Sequence, residues 1–165
     1  MTVPTDRRLR HVAEKLGACL RAENIRLAVA ESCTGGWIAK MITDVAGSSE
    51  WFDCGLVTYN NAAKCVFLGV SRETLDAYGA VSRETALEMV KGVLMHSMAD
   101  IAVAVTGIAG PAGGTADKPV GTVWIAWARR EGDVRSQVFH FAGDRDAVRR
   151  QTVVEALCGV AALLG

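Results

Sequence analysis

The sequence predicts a three-layer α/β/α sandwich with a mixed, mostly parallel sheet. Three observations carry this. Short apolar runs with the length of strands alternate with longer stretches of helical periodicity. Two of the runs, Leu27 to Ala30 and Ile101 to Val105, are apolar throughout, as strands covered on both faces are. Two later runs, Gly121 to Ala128 and Arg135 to Phe141, are separated only by Arg130-Glu131-Gly132-Asp133. That turn is short enough for an antiparallel hairpin, so the sheet must be mixed.

Leu9, Val12, Leu16 and Leu20 trace an apolar stripe through a charged segment, which predicts an amphipathic helix over 6–22. The strand from Leu27 to Ala30 breaks into Glu31-Ser32-Cys33-Thr34-Gly35-Gly36, and Trp37, Ile38, Met41 and Ile42 then recur at helical spacing with Thr34 as the N-cap. Gly55 to Tyr59 has the β-branched and aromatic content of a second strand, and Ala62 to Leu68 reads as a helix stopped by Gly69. Ser71 and Ser82 precede helix-forming residues. Ala86, Met89, Val90, Val93 and Leu94 form a core-facing stripe in the second of these helices. Asp144 caps a last helix whose stripe is Val153, Leu157, Val160, Ala161 and Leu164.

A chain of 165 residues is the size of one domain, spanning 1–165. Eighteen basic and eighteen acidic residues cancel, so no basic stripe points to nucleic acid. No apolar run approaches the ~20 residues of a membrane span, and Met1 to Arg10 is polar, so the expectation is a soluble cytoplasmic protein. Cys19, Cys33, Cys54, Cys65 and Cys158 are odd in number and lack C-x-x-C spacing, as free thiols in a reducing compartment would be. His11, His96 and His140 lie far apart, and no pair of His or Cys has zinc spacing, so neither metal nor cofactor is predicted. Exposed apolar faces on so compact a domain make a homodimer the expected assembly.

Three strand ends carry unusual chemistry, and parallel strands would gather them on the sheet edge where ligands of open α/β folds bind. The first, at Ser32, offers a hydroxyl at the mouth of a helix whose free N–H groups attract anions and oxyanions, with Gly35 and Gly36 permitting close approach. A serine needs a base, and without a placed histidine the candidates are Lys64 and, less directly, Tyr59. A lysine base must be neutral. Its pKa must fall from ~10.4 to near neutrality, a change of ~4 kcal/mol that burial can supply. Taken singly, Lys64 reads equally as a solvated helix lysine and Tyr59 as a packed strand aromatic. The third loop, Thr106 to Thr115, holds Gly107, Gly110, Gly113 and Gly114 and offers hydroxyl and backbone donors, but it is neither a P-loop nor G-x-G-x-x-G. Cys33 is a rival nucleophile without a visible partner.

Ala30 to Gly36, Tyr59 with Asn61 and Lys64, Gly79-Ala80-Val81-Ser82, Ala104 to Pro111 and Lys118 to Val123 together resemble the CinA C-terminal domain family, from about Leu27 to the end of the chain. The resemblance implies a three-layer α/β fold and nicotinamide-nucleotide amidase activity, converting nicotinamide mononucleotide and water to nicotinic acid mononucleotide and ammonia. It places the family's catalytic serine, tyrosine and lysine on Ser32, Tyr59 and Lys64. The small-molecule nucleotide would then be contacted by residues drawn from Glu31, Cys33, Thr34, Gly35, Gly36, Asn61, Thr106, Gly107 and Gly110. Members often carry acidic residues where this chain has Ala62 and Ala112. The alternative is a non-catalytic nucleotide-binding or interaction module, related to competence or damage-inducible proteins, that kept the fold without turnover.

Overall fold

The computed structural model describes residues 2–165. In chain order the elements are α1 (Asp6–Ala22), β1 (Leu27–Glu31), α2 (Trp37–Thr43), β2 (Phe52–Val57), α3 (Asn61–Leu68), α4 (Arg72–Tyr78), α5 (Arg83–Met95), β3 (Ile101–Gly107), β4 (Thr122–Arg129), β5 (Val134–His140) and α6 (Arg145–Leu164). They form the three layers that the sequence predicts. The sheet runs β2-β1-β3-β4-β5, parallel across its first two pairings and antiparallel across its last two.

The apolar strands hide an alternation of size. Leu27, Val29, Ile101, Val103, Val105, Ile125 and Trp127 face α1, α2 and α6. Their alternate neighbours Ala28, Ala30, Ala102, Ala104, Ala126 and Ala128 form a flat carpet under α5. Small side chains let α5 lie close to the sheet, and Gly92 lets α3 lie close to α5, because a Cβ there would meet the Leu68 carbonyl oxygen at 1.9 Å. Adding methyl groups to the carpet would lift both helices, at ~1–3 kcal/mol.

Most helix starts follow from local capping. Asn60, Ser71, Ser82 and Asp144 accept from the amides of Ala63, Thr74, Thr85 and Ala147. Two expectations need correction. The second strand covers Phe52–Val57 rather than Gly55–Tyr59, because Leu27 and the rest of β1 pair from Phe52 onward, and Tyr59 has already left the sheet toward α3. Thr34 is not the cap of α2; that position belongs to Gly36, at φ 94°, and the capping group comes from Glu31.

Candidate active site

In the registered sheet Glu31 lies opposite Val57 on one side and Val105 on the other, so the three loops of interest leave the sheet at one edge. Ser32 stays tied to that edge, its amide donating to the Val105 carbonyl. The chain then turns back sharply. Gly35 donates to the Ser32 carbonyl at 3.0 Å, and both Gly35 (φ 60°) and Gly36 (φ 94°) occupy the left-handed region that side chains disfavour.

Glu31 holds the turn from inside. It is fully buried, and its two carboxylate oxygens accept from the Thr34 hydroxyl (2.6 Å) and from the amides of Gly36 (3.0 Å), Ile38 (3.1 Å) and Ala39 (2.8 Å). The amide of Trp37 donates to the Thr34 carbonyl. The N-terminus of α2 is thus saturated by the protein itself, which overturns its expected part as an anion site. Glu31, Thr34 and Gly36 shape the turn, and none of the three is among the residues that line the cavity described below.

Lys64 reaches Ser32 from α3. The cap at Asn60 starts the helix, so that the fourth residue turns inward beneath the strand edge. Lys64 is 1% exposed; its Nζ lies 2.9 Å from Ser32 Oγ and 2.8 Å from the Thr58 carbonyl oxygen. Among the described residues no carboxylate makes an ion pair with it. Burial therefore pushes its pKa below the ordinary 10.5, with the Cys33 sulfur opposing weakly. Cys33 itself is a poor nucleophile. Its thiol is pushed up to about 12, chiefly by burial.

Ser32, Cys33, Tyr59, Asn61, Lys64, Thr106 and Gly107 line a cavity of about 220 Å³, completed by Ala80, Val81, Ala109 and Arg145. A larger cleft of about 450 Å³ lies between Thr2 to Thr5 and α6, but it holds no nucleophile beside a base. Three of the predicted residues have roles in holding the fold together here. The Thr106 hydroxyl donates to the Ala80 carbonyl at 2.7 Å, so it fixes a wall and offers no proton to an oxyanion. Gly107 is required by β4, since a Cβ would sit 2.6 Å from a Val123 methyl carbon. Gly110 lies outside the lining, and its carbonyl accepts from Arg145 at 2.9 Å.

Sequence reasoning missed Arg145. From the first residue of α6 it also donates to the Tyr59 hydroxyl at 2.8 Å, which ties the second loop to the third across the mouth. Tyr59 is exposed, and its hydroxyl bonds to Arg145 rather than to Ser32 or Lys64. A signal was present: Arg145 and Arg149 stand four residues apart at the start of a helix, the end where a cation is disfavoured without another reason.

Residues 9–164 match the CinA C-terminal domain. The chain belongs to that family. It is 54% identical over 153 residues to a nicotinamide-nucleotide amidohydrolase PncC of Enterobacter agglomerans, and 52% identical over 153 residues to that of Escherichia coli K12, covering 93% of both chains in each comparison. The crystal structure of the competence/damage inducible protein CihA from Agrobacterium tumefaciens superposes with a TM-score of 0.93 at 45% identity, covering 99% of this chain and 98% of the other. The chain spans nearly the whole length of these three relatives. The fold expected from the family resemblance is therefore the fold found.

Proposed function

We propose that the chain is a nicotinamide-nucleotide amidohydrolase in which Ser32 is the nucleophile and Lys64 the base. One observation carries the assignment of residues: the buried contact of 2.9 Å between Ser32 Oγ and an amine with which no carboxylate pairs among the described residues. The names of the PncC relatives support the substrate.

The carboxamide carbon stands above Ser32. Ser32 Oγ bonds to it while Lys64 Nζ takes the hydroxyl proton, and the carbonyl electrons move onto the oxygen. The resulting oxyanion is received by backbone amides that follow Ser32. When the carbon–nitrogen bond breaks, Lys64 returns its proton to the nitrogen, which leaves as ammonia. Water then attacks the Ser32 ester as Lys64 takes one of its protons and passes it to the serine oxygen, releasing the acid. Throughout, Lys64 keeps its donation to the Thr58 carbonyl, which aims Nζ without supplying charge.

The cavity is smaller than the roughly 300–1,000 Å³ of typical ligand pockets. It therefore takes the carboxamide end of the nucleotide and leaves the sugar and phosphate at the mouth, where Tyr59 and the Arg145 guanidinium stand. Purified protein incubated with nicotinamide mononucleotide should release ammonia, and the Ser32→Ala variant should not. Equal release by both rejects the assignment. Tight binding without release by the wild type favours the non-catalytic module.

A further inference from the structure

Arg149 plays no part in the chemistry above, yet it reaches from α6 to the turn after Ser32. Its Nε donates to the Cys33 carbonyl at 3.2 Å and its Nη2 to the Thr34 carbonyl at 2.7 Å. The guanidinium carbon lies 5.0 Å from the centroid of the Trp37 ring, so the first residue of α2 braces the fork that grips the turn.

What the fork holds follows from peptide geometry. A trans peptide is planar, and its C=O and N–H point in opposite directions. Fixing the Cys33 carbonyl fixes the Thr34 N–H on the side away from Arg149. Fixing the Thr34 carbonyl likewise aims the Gly35 N–H, which donates to the Ser32 carbonyl. That bond in turn sets the peptide between Ser32 and Cys33, and with it the direction of the Cys33 N–H. No other residue among those described accepts from the amides of Cys33 and Thr34, that of Cys33 turning only toward its own thiol, although both residues are buried. Buried amides are seldom left without a strong acceptor, and with no carbonyl or carboxylate bound to it among the described residues this pair is free to receive an oxyanion. Cys33 lines the cavity beside Ser32.

We propose that Arg149 is the positioning residue of an oxyanion hole formed by the backbone amides of Cys33 and Thr34. The proposal rests on the amidase reading and adds to it the element that holds the donors in place. Glu31 secures the same turn from the opposite end, by gripping the amides of Gly36, Ile38 and Ala39. The turn is thus held by its carbonyls on one side and its amides on the other, leaving the Cys33 and Thr34 amides between the two grips.

Arg149→Gln and Arg149→Lys test this against wild type in three measurements: kcat and KM on nicotinamide mononucleotide, the rate of Ser32 labelling by a fluorophosphonate, and the melting temperature. In the labelling reaction Ser32 Oγ bonds to phosphorus, fluoride leaves and the serine proton passes to Lys64, while the phosphonyl oxygen takes the place of the oxyanion. Losing one aligned oxyanion donor costs on the order of 100-fold in kcat. Arg149→Gln should lose about that much in kcat and a comparable factor in labelling rate, with KM near wild type, because the donors act in the transition state. Arg149→Lys keeps the charge but cannot fork, and should fall between. Variants that melt lower yet keep kcat and labelling rate would reduce Arg149 to a structural brace and overturn the inference, leaving the amidase reading intact. A wild type inactive on the nucleotide whose Ser32 labels fast, and slowly in the variants, would remove that reading and keep Arg149 in its role. A wild type that neither turns over nor labels would overturn both.

Discussion

Glu31 and Lys64 are both almost sealed from solvent, at 0% and 1% exposure, on neighbouring elements of one sheet edge, and they are partnered in opposite ways. Glu31 receives four hydrogen bonds, three of them from backbone amides at the start of α2. Lys64 contacts two neutral oxygens and forms no ion pair among the described residues. A buried carboxylate with its full complement of donors is a fastener, since removing it would leave several buried donors unpaired at once. A buried amine without a counter-ion favours its neutral form, which is the form that takes a proton from a serine. Equal burial therefore marks one group for structure and the other for chemistry.

The sharpest way to break this contrast is Lys64→Met, which keeps length and removes the amine. We expect kcat to fall ~10²–10⁴-fold, or ~3–5 kcal/mol in the barrier, while the protein melts no lower than wild type. The pH behaviour follows from the lowered pKa. Between that value and the ordinary 10.5, the unfolded chain binds a proton that the folded chain does not. Wild-type stability therefore rises with pH across this interval, is complete above 10.5, and is lost as pH falls through it. Activity gains the neutral amine as pH rises through the folded-state value, so kcat/KM climbs with pH below that value and levels above it. The variant should lose both slopes. Melting curves that fall steeply on removing the amine would mean that Lys64 is a fastener like Glu31.

Glu31→Ala is the complementary case, with its main effect on stability. Three α2 amides would lose their acceptor in a buried setting, at a cost on the order of 3 kcal/mol. For a chain of this size that lowers the melting temperature by roughly 6–12 °C. Glu31→Gln retains one carbonyl oxygen and should lose about half as much, because its amide group turns donors toward donors. Activity per folded molecule should suffer less in either variant than in Lys64→Met. Thermal melts together with kcat at a temperature where both proteins are folded separate the two effects, and an unchanged melt for Glu31→Ala would refute the capping role.

What could be read beforehand divides along the same line. Ser71, Ser82 and Asp144 bond to amides three residues on, so their caps are written locally. Ser32 and Lys64 were legible as chemistry because each residue type implies a need, a base for the one and burial for the other. The start of α2 was not, because its acceptor sits upstream in β1, and the nearer Thr34 spends its hydroxyl on that same carboxylate. Tyr59 and Arg145 are 86 positions apart, and no local pattern brings them together. The alanine carpet was in plain view, yet a run such as Ile101 to Val105 reads as uniformly apolar until the two faces are separated. Pairing with β1 placed β2 earlier than its β-branched residues suggested, because registered hydrogen bonds outweigh propensity at a strand end.

The smallest effect belongs to Cys33, which shares the cavity with Ser32 and tests whether proximity alone makes a nucleophile. Its thiol is pushed up to about 12, by burial first, with the Glu31 charge adding to the shift. At neutral pH the thiolate that would attack a carbonyl is thus almost absent. Cys33→Ala should keep kcat within a few-fold of wild type, because the amide assigned to the oxyanion belongs to the backbone and survives the substitution. The lost sulfur leaves a small void and a modest drop in melting temperature. Iodoacetamide at neutral pH should leave activity intact. If Cys33→Ala abolished ammonia release while Ser32→Ala retained it, the nucleophile would move one residue along the turn. Lys64 would then have to serve a sulfur that the fold keeps protonated, which the direction of both pKa shifts opposes.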